Sequence, residues 1–261
     1  MREVIRVGHA TFMKHGHIDK CVAELYEAFK KAYGEIRLKD LTKNKIDTIA
    51  MEAMLAFADL RPEDYLRFER LRQAEKSFMN AIGEFHEQLL CGVHGIEKDT
   101  EWGCDIRKED RTLFAEVKNK FNTMNSSGVQ TVFNKLRKTA EENNADCYLV
   151  IVIAKNSFCE RWQPSGDPST RGGINYHERV YVCSADQFYR ILTKDEQAFR
   201  KLRKDLSEAM QRFALSSTSR TFQDPASSVI QELTRMSTST NKSILELLDE
   251  MTFRGYLGYP L

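Results

Sequence analysis

Residues 112–154 read TLFAEVKNKFNTMNSSGVQTVFNKLRKTAEENNADCYLVIVIA, and this stretch decides the fold. Residues 112–118 alternate in the two-residue period of a strand. Residues 127–143 follow with apolar side chains at the three- and four-residue spacing of an amphipathic helix. Residues 147–154 are a continuous, β-branched apolar run, typical of a strand that is covered on both faces and paired in parallel. The stretch therefore predicts a βαβ unit, which is expected to be right-handed.

A second strand is predicted just before this unit, over residues 102–107, with residues 108–111 as the polar turn of a hairpin. Because alternate residues of a strand share a face, Glu116 and Lys118 project to the same side and Val117 to the other. Asp105, on the preceding strand, can then come close to Glu116. The pattern predicts two carboxylates and one ammonium group converging at an edge of the sheet.

Such a group suits the hydrolysis of a phosphodiester. The carboxylates of Asp105 and Glu116, with the Val117 carbonyl, can hold one or two hard cations, which activate water and neutralise charge at the phosphate. Lys118 would orient the water or stabilise the oxyanion. The spacing alone is a weak signal, and an exposed Glu-x-Lys strand without function is the alternative. Its place in a hairpin, followed by a helix and a buried strand, matches the order of the PD-(D/E)XK nuclease core.

Four segments carry a more specific resemblance. The most specific is EVKNKFNTMNSS at residues 116–127, accompanied by NAIGEFH at 80–86, CYLVIVIAK at 147–155 and DQFYR at 186–190. Together they resemble the type II restriction endonucleases that cut sites of the GGNCC kind, over about residues 76–206. The resemblance implies a Mg²⁺-dependent, usually homodimeric enzyme that cleaves both strands of double-stranded DNA at a short palindrome.

Carried over residue by residue, the resemblance assigns the catalytic triplet to Asp105, Glu116 and Lys118. Glu84, on the helix before the hairpin, is assigned as a supporting carboxylate, and Glu87 competes with it one helical turn further on. The chain departs from the nominal motif of the superfamily because no proline precedes the first aspartate.

The polar bridge after Lys118 and a later loop supply candidates for DNA contact. Asparagine can pair bidentately with adenine and lysine or arginine with guanine, while amide and hydroxyl groups can hold phosphate. Helix capping by Ser126 or Ser127 is the alternative use of the bridge. The candidate DNA-binding residues are Lys120, Asn122, Asn125, Ser126, Ser127 and, in the long loop, Arg171.

The charge of the chain is almost balanced, with 39 Lys and Arg against 38 Asp and Glu in 261 residues. Residues 107–138 nevertheless hold eight basic residues and three acidic ones, which suggests a surface for a polyanion. For Lys135, Arg137 and Lys138, an exposed, solvated helix face is at least as good an interpretation. The apolar fraction of 41% and the few glycines and prolines exclude a disordered or collagen-like chain.

The six cysteines form no C-x-x-C pair and suggest no disulfide framework. We therefore expect reduced, mostly buried thiols in a cytoplasmic protein. No run approaches the roughly 20 apolar residues of a membrane span, and the first residues contain no apolar signal segment. No membrane partner is expected.

The fold class expected is α/β, with a PD-(D/E)XK restriction-endonuclease-like core, a mixed central sheet flanked by helices, a helical N-terminal layer and a small helical C-terminal tail. The expected domains are a helical layer at 1–75, a catalytic core at 76–213, and a linker with helical tail at 214–261. Helices are predicted over residues 18–33, 46–59, 62–90, 185–192, 194–213, 225–236 and 243–253, with a strand at 179–183 and a loop at 158–177.

The sequence favours a type II restriction endonuclease. In that class a twofold dimer would place one active site on each DNA strand. Two alternatives remain open at this point: a DNA repair or junction-resolving nuclease built on the same core, and a non-catalytic DNA-binding protein in which the Glu-x-Lys pair is coincidental.

Overall fold

The structure is a computed structural model, and it describes residues 8–164, 176–216, 225–252 and 254. The described residues contain a six-stranded mixed sheet with the strand order β1-β2-β3-β4-β6-β5. The strands are β1 (Ile96–Lys98), β2 (Ile106–Lys108), β3 (Leu113–Lys120), β4 (Asp146–Ile153), β5 (Cys159–Arg161) and β6 (Val180–Ser184).

Helices flank this sheet, and further helices, with the connecting loops, make up the rest of the described chain. None of them, within the described residues, is long and apolar enough to cross a membrane. The helices are α1 (His17–Tyr33), α2 (Leu38–Thr42), α3 (Thr48–Ala58), α4 (Pro62–Cys91), α5 (Ser126–Asn143), α6 (Ala185–Thr193), α7 (Ala198–Ser216), α8 (Ser227–Thr240) and α9 (Ile244–Thr252).

The predicted βαβ unit is present as β3, α5 and β4. β3 and β4 pair in parallel with Glu116 opposite Leu149, and β4 pairs in parallel with β6. The other three strand pairs are antiparallel. The prediction of an α/β fold with a mixed central sheet flanked by helices is confirmed.

The core of the βαβ unit shows which face of β3 meets α5. Phe114 of β3 is fully buried in one cluster with Phe133 and Leu136 of α5. Glu116 and Lys118 lie two and four residues after Phe114, so they project to the same face of the sheet. The helix α5 therefore borders the side of the sheet that carries the two charged residues.

The chain divides into two compact units. One comprises residues 1–26 and 81–218 and contains the whole sheet; the other comprises residues 27–80 and 219–261. In the second unit, α2, α3 and the start of α4 share one hydrophobic core with α8 and α9. The sequence separated these segments into a layer at 1–75 and a tail at 214–261. The division into three domains, at residues 1–75, 76–213 and 214–261, stays a prediction.

The strand predicted over residues 102–107 is mostly wrong, since only its last two residues belong to β2. The physical reason is the buried carboxylate of Asp99, which accepts backbone N–H bonds from Glu101, Trp102 and Cys104. These bonds bend residues 99–105 into a compact loop. The short strands β1 and β5, which the sequence did not indicate, pair at opposite ends of the sheet.

The expectation that every cysteine is a reduced thiol is also wrong, because Cys159 and Cys183 form a disulfide with Cα atoms 4.2 Å apart. The two residues lie directly opposite each other in the antiparallel pair of β5 and β6, and this register brings their side chains within bonding reach. The sequence placed Cys159 in a loop and therefore gave no reason to pair it. Cys21, Cys104 and Cys147 are buried free thiols, as expected.

Candidate active site

Glu116 is the carboxylate around which the site is arranged. It lies in the middle of β3, is only 6% exposed, and has an ammonium group on each oxygen. Lys118 Nζ donates to Glu116 Oε1 at 2.7 Å and to the Val117 carbonyl oxygen at 3.2 Å. A buried carboxylate needs such partners, because burying an unpaired charge is costly.

Asp105 lies in the loop immediately before β2. Its backbone N–H donates to the Ala115 carbonyl at 3.0 Å, and its Oδ2 accepts the Val117 N–H at 2.7 Å. Burial and the nearby charge of Glu116 raise the pKa of Asp105 above its ordinary value. The structure therefore brings Asp105, Glu116 and Lys118 together, although Asp105 comes from a loop rather than from the predicted strand.

Lys135 is a member of this group that the sequence did not single out. Its Nζ donates to Glu116 Oε2 and, at 2.8 Å, to the Gly103 carbonyl. The interpretation of Lys135 as part of an exposed, solvated helix face is wrong, whereas Lys138 on the same helix has a side chain that is 73% exposed. The signal was its place three residues after the buried Val132 and four before the buried Thr139, at the margin of the inner stripe.

The loop that carries Asp105 is held by a network of charges around Asp99. Besides its three backbone N–H bonds, the buried Asp99 carboxylate lies 3.9 Å from the Arg107 guanidinium. Arg107 also pairs with Glu97 at 2.8 Å and Glu101 at 3.1 Å. These contacts fix the path of the chain into Asp105.

Of the two glutamates considered on α4, Glu87 is the one coupled to the site. Burial and the charge of Asp105 raise the pKa of Glu87 to about 7, with Lys118 opposing this shift. Glu84 is exposed on the same helix. The assignment of Glu84 as the supporting carboxylate stays a prediction, and the electrostatics favour Glu87 in that place.

His86 lies on α4, next to Glu87 in the sequence. Burial, with the nearby Arg203 cation, lowers the pKa of His86 to about 4, while the Asn119 side chain opposes the shift. The imidazole of His86 is therefore neutral at pH values near neutrality.

The candidate DNA-binding residues lie mostly at the surface just beyond Glu116 and Lys118. Lys120 ends β3, Asn122 follows it, and both are exposed. Asn125 is the N-cap of α5, with its side chain accepting the Gly128 N–H at 2.8 Å. The expectation that Ser126 or Ser127 caps the helix is wrong, because the helix begins one residue earlier; both serines are exposed in its first turn. Arg171 lies outside the described residues.

The site contains several oxygen atoms that could bind a metal ion, next to the ammonium group of Lys118. The carboxylates of Asp105 and Glu116 and the Val117 carbonyl are the ligand types that Mg²⁺ prefers. Lys118 already bridges two of these oxygens with a positive charge, so this position favours a cation. The residues therefore fit a divalent metal ion.

Comparison with known proteins places the chain in a family. The family model described as Eco47II restriction endonuclease matches residues 10–214. The chain belongs to the Eco47II restriction endonuclease family.

Two similar proteins support this family assignment. The type II restriction enzyme Sau96I of Staphylococcus aureus is 32% identical over 244 residues, covering 91% of this chain and 93% of that protein. The type II restriction enzyme Eco47II of Escherichia coli is 24% identical over 158 residues, covering 57% of this chain and 65% of that protein. This member of the family is a site-specific deoxyribonuclease of the type II restriction class, so the non-catalytic and repair alternatives are set aside.

Proposed function

We propose that the protein cuts both strands of double-stranded DNA at a short palindrome of the GGNCC kind, using Mg²⁺ bound at Asp105 and Glu116. The observation that supports this most strongly is the convergence of Glu116, Lys118 and Asp105 at the end of the hairpin. Type II restriction enzymes generally depend on a divalent metal ion. The recognition site rests on the resemblance of residues 116–127 to enzymes that cut such sequences.

Each residue has a role that follows from its chemistry. Asp105 and Glu116 would hold the metal ion through carboxylate oxygens, and the Val117 carbonyl would add a third oxygen. The ion, when bound, neutralises phosphate charge and makes water more acidic. Lys118 is the amine next to these ligands, and it would orient the attacking water or stabilise the negative charge that develops on the phosphoryl oxygens.

Access to DNA would come from the exposed segment that follows Lys118. Lys120, Asn122, Ser126 and Ser127 would contact phosphates or base edges, as would Arg171 in the long loop. Asn125 is engaged with the helix, so its side chain would contact DNA only while still accepting the Gly128 N–H. Lys155, stacked 4.9 Å from the ring centre of Phe121, adds a cation beside this segment.

The palindrome implies a twofold symmetric homodimer, since one active site is then presented to each strand. Sedimentation velocity of the purified protein, with and without a duplex that contains one GGNCC site, measures this directly. On DNA, the mass of the sedimenting complex is expected to correspond to two protein chains and one duplex. A single chain that still cleaves both strands would exclude the symmetric arrangement.

The catalytic assignment is tested by Asp105→Ala, Glu116→Ala and Lys118→Ala, with Lys138→Ala as the matched control on an exposed position. Each site variant should bind a GGNCC duplex in Ca²⁺ and lose cleavage by roughly 10²-fold or more, as removal of catalytic groups usually does. Digestion of a plasmid of known sequence, followed by sequencing of the fragment ends, gives the recognition site. Cleavage by the Glu116 variant at the unaltered rate would remove the proposed mechanism.

A further inference from the structure

The Glu116 carboxylate is held on its two oxygens by amines that come from different elements. Lys118 reaches Oε1 from the same strand, two residues away. Lys135 reaches Oε2 from α5, nineteen residues along the chain. The two lysine side chains are similarly shielded, at 26% and 28% exposed. The carboxylate therefore has one local partner and one partner that depends on the tertiary fold.

Lys135 also contacts the segment that leads to the other carboxylate. Its Nζ donates to the carbonyl oxygen of Gly103, two residues before Asp105. Gly103 has a φ of +76°, a left-handed conformation that favours glycine and sets the direction of this carbonyl. One ammonium group thus joins α5, the middle of β3 and the loop before β2.

Lys118 and Lys135 differ in whether the oxygens that they contact are proposed metal ligands. Its two acceptors are Glu116 Oε1 and the Val117 carbonyl oxygen, which are both assigned above as metal ligands. An ion held by those oxygens would take the place of the contacts of Lys118. The contacts of Lys135, to Glu116 Oε2 and to a carbonyl outside the ligand set, remain available.

We propose that Lys135 is a positioning residue for the metal site: it fixes Glu116 Oε2 and the approach to Asp105, so that Oε1 is presented to the ion. This inference rests on the proposed function, in which Glu116 binds the metal. Groups that orient metal ligands typically change metal affinity or activity by about 10–100-fold when removed. Lys135 differs from Lys118 in acting through Glu116 rather than on the reacting atoms.

Removal of Lys135 can change metal affinity in either direction, and the direction distinguishes a positioning role from a purely electrostatic one. A fixed positive charge beside the site repels a divalent ion, so loss of that charge alone would tighten metal binding. Loss of the hydrogen bonds would let the Glu116 carboxylate turn and would weaken binding. The structure favours the second effect, since both bonds connect separate elements.

The experiment uses Lys135→Met, which keeps the side-chain length, and Lys135→Gln, which keeps a hydrogen-bond donor without the charge. Calorimetric titration of the full chain with Mn²⁺ is expected to show about tenfold weaker binding for the Met variant and partial recovery for the Gln variant. The kcat for cleavage should fall by about 10–100-fold while the KM for DNA stays within about twofold. Lys138→Met is the control on the same helix, and thermal unfolding in EDTA shows whether each variant is folded.

The outcomes separate this inference from the proposed function. Mn²⁺ affinity that is unchanged or tighter in a folded Met variant overturns the positioning role of Lys135. If Glu116→Ala also binds Mn²⁺ as the unaltered protein does, the proposed metal site itself is wrong. If Glu116→Ala loses Mn²⁺ and the Met variant keeps it, only the role of Lys135 is lost.

Discussion

Glu116 and Glu87 are two carboxylates at the site with different surroundings. Glu116 is almost completely buried, yet it has an ammonium group on each oxygen. Glu87 lies among Asp105, Glu116, Lys118 and Lys98, and burial together with the two acids raises its pKa to about 7. One site therefore contains a well-compensated carboxylate and another whose ionised form is disfavoured near neutral pH.

Glu87→Gln tests this difference through stability in EDTA. Because the folded-state pKa of Glu87 is about 7 and its ordinary value is 4.5, the folded protein holds this proton more tightly than the unfolded chain. Its contribution to stability therefore falls as pH rises from about 4.5 to 7. The variant should match the unaltered protein below that window and melt a few degrees higher above it, at about 2–4 °C per kcal/mol.

Thermal unfolding at a series of pH values, in EDTA, measures this difference. Glu84→Gln is the control, since that glutamate is exposed on the same helix. A melting difference for Glu87→Gln that stays constant with pH, or a variant that is less stable at about pH 8, would show that Glu87 is not destabilised by ionisation.

Asp99 provides a second residue-scale prediction, because its carboxylate holds the loop before Asp105. Asp99→Ala leaves the backbone N–H groups of Glu101, Trp102 and Cys104 without their acceptor. Each buried, unsatisfied group costs roughly 1–3 kcal/mol. Urea unfolding should show a loss of about 3 kcal/mol, with kcat reduced and DNA affinity in Ca²⁺ unchanged. Glu109→Ala, on the exposed turn, is the control, and equal stability of the two variants would contradict the role of Asp99.

The residues of the site differ in how far the sequence could predict them. Glu116 and Lys118 share a face because of the period of a strand, which is a local property. Lys135 and Glu87 enter through helices that pack on the sheet or near it. The position of Lys135 at the margin of the buried stripe of α5 indicates partial burial, but it does not indicate which group the lysine contacts. Asp105 was identified by its place before the Glu-x-Lys pair, although the loop around Asp99 replaces the strand expected there.

At the scale of the elements, length decided what could be predicted. β3, α5 and β4 are eight, eighteen and eight residues long, and their apolar patterns are clear. The strands β1, β2 and β5 have three residues each, too few for a period of two to stand out. The five-residue helix α2 was missed for the same reason. The long elements position Glu116 and Lys118, while the short strands extend the sheet on either side of them.

Asn125, the N-cap of α5, has two proposed roles, helix capping and DNA contact, that two substitutions can distinguish. Asn125→Ala removes the acceptor of the Gly128 N–H and should cost about 1 kcal/mol of stability. Asn125→Asp keeps an acceptor at the cap and adds a negative charge beside the proposed DNA surface. Urea unfolding should therefore distinguish only the Ala variant, and titration with a GGNCC duplex in Ca²⁺ should show weaker binding for the Asp variant. An Asp variant that binds DNA normally would remove Asn125 from the DNA surface.

On the scale of the whole molecule, the second compact unit is built from two segments that lie far apart in the sequence, residues 27–80 and 219–261. Leu41 and Met51 share a core with Leu233 and Leu248, which lie about 190 residues later in the sequence. Periodicity predicted the helices of both segments but not their association, since an amphipathic stripe does not specify which other stripe it meets. Long-range packing of this kind makes the stability of α2 and α3 depend on α9.

Leu248→Ala tests that dependence, because Leu248 is fully buried in the shared core. Removing a buried leucine side chain costs about 2–5 kcal/mol. Hydrogen exchange followed by mass spectrometry should show faster exchange of α2 and α3 as well as of α9, since all three contribute to one core. Phe57→Ala removes a larger side chain that is 89% exposed, and it should change stability by less than about 0.5 kcal/mol. Faster exchange confined to α9 in the Leu248 variant would mean that the two segments of the second unit are stable separately.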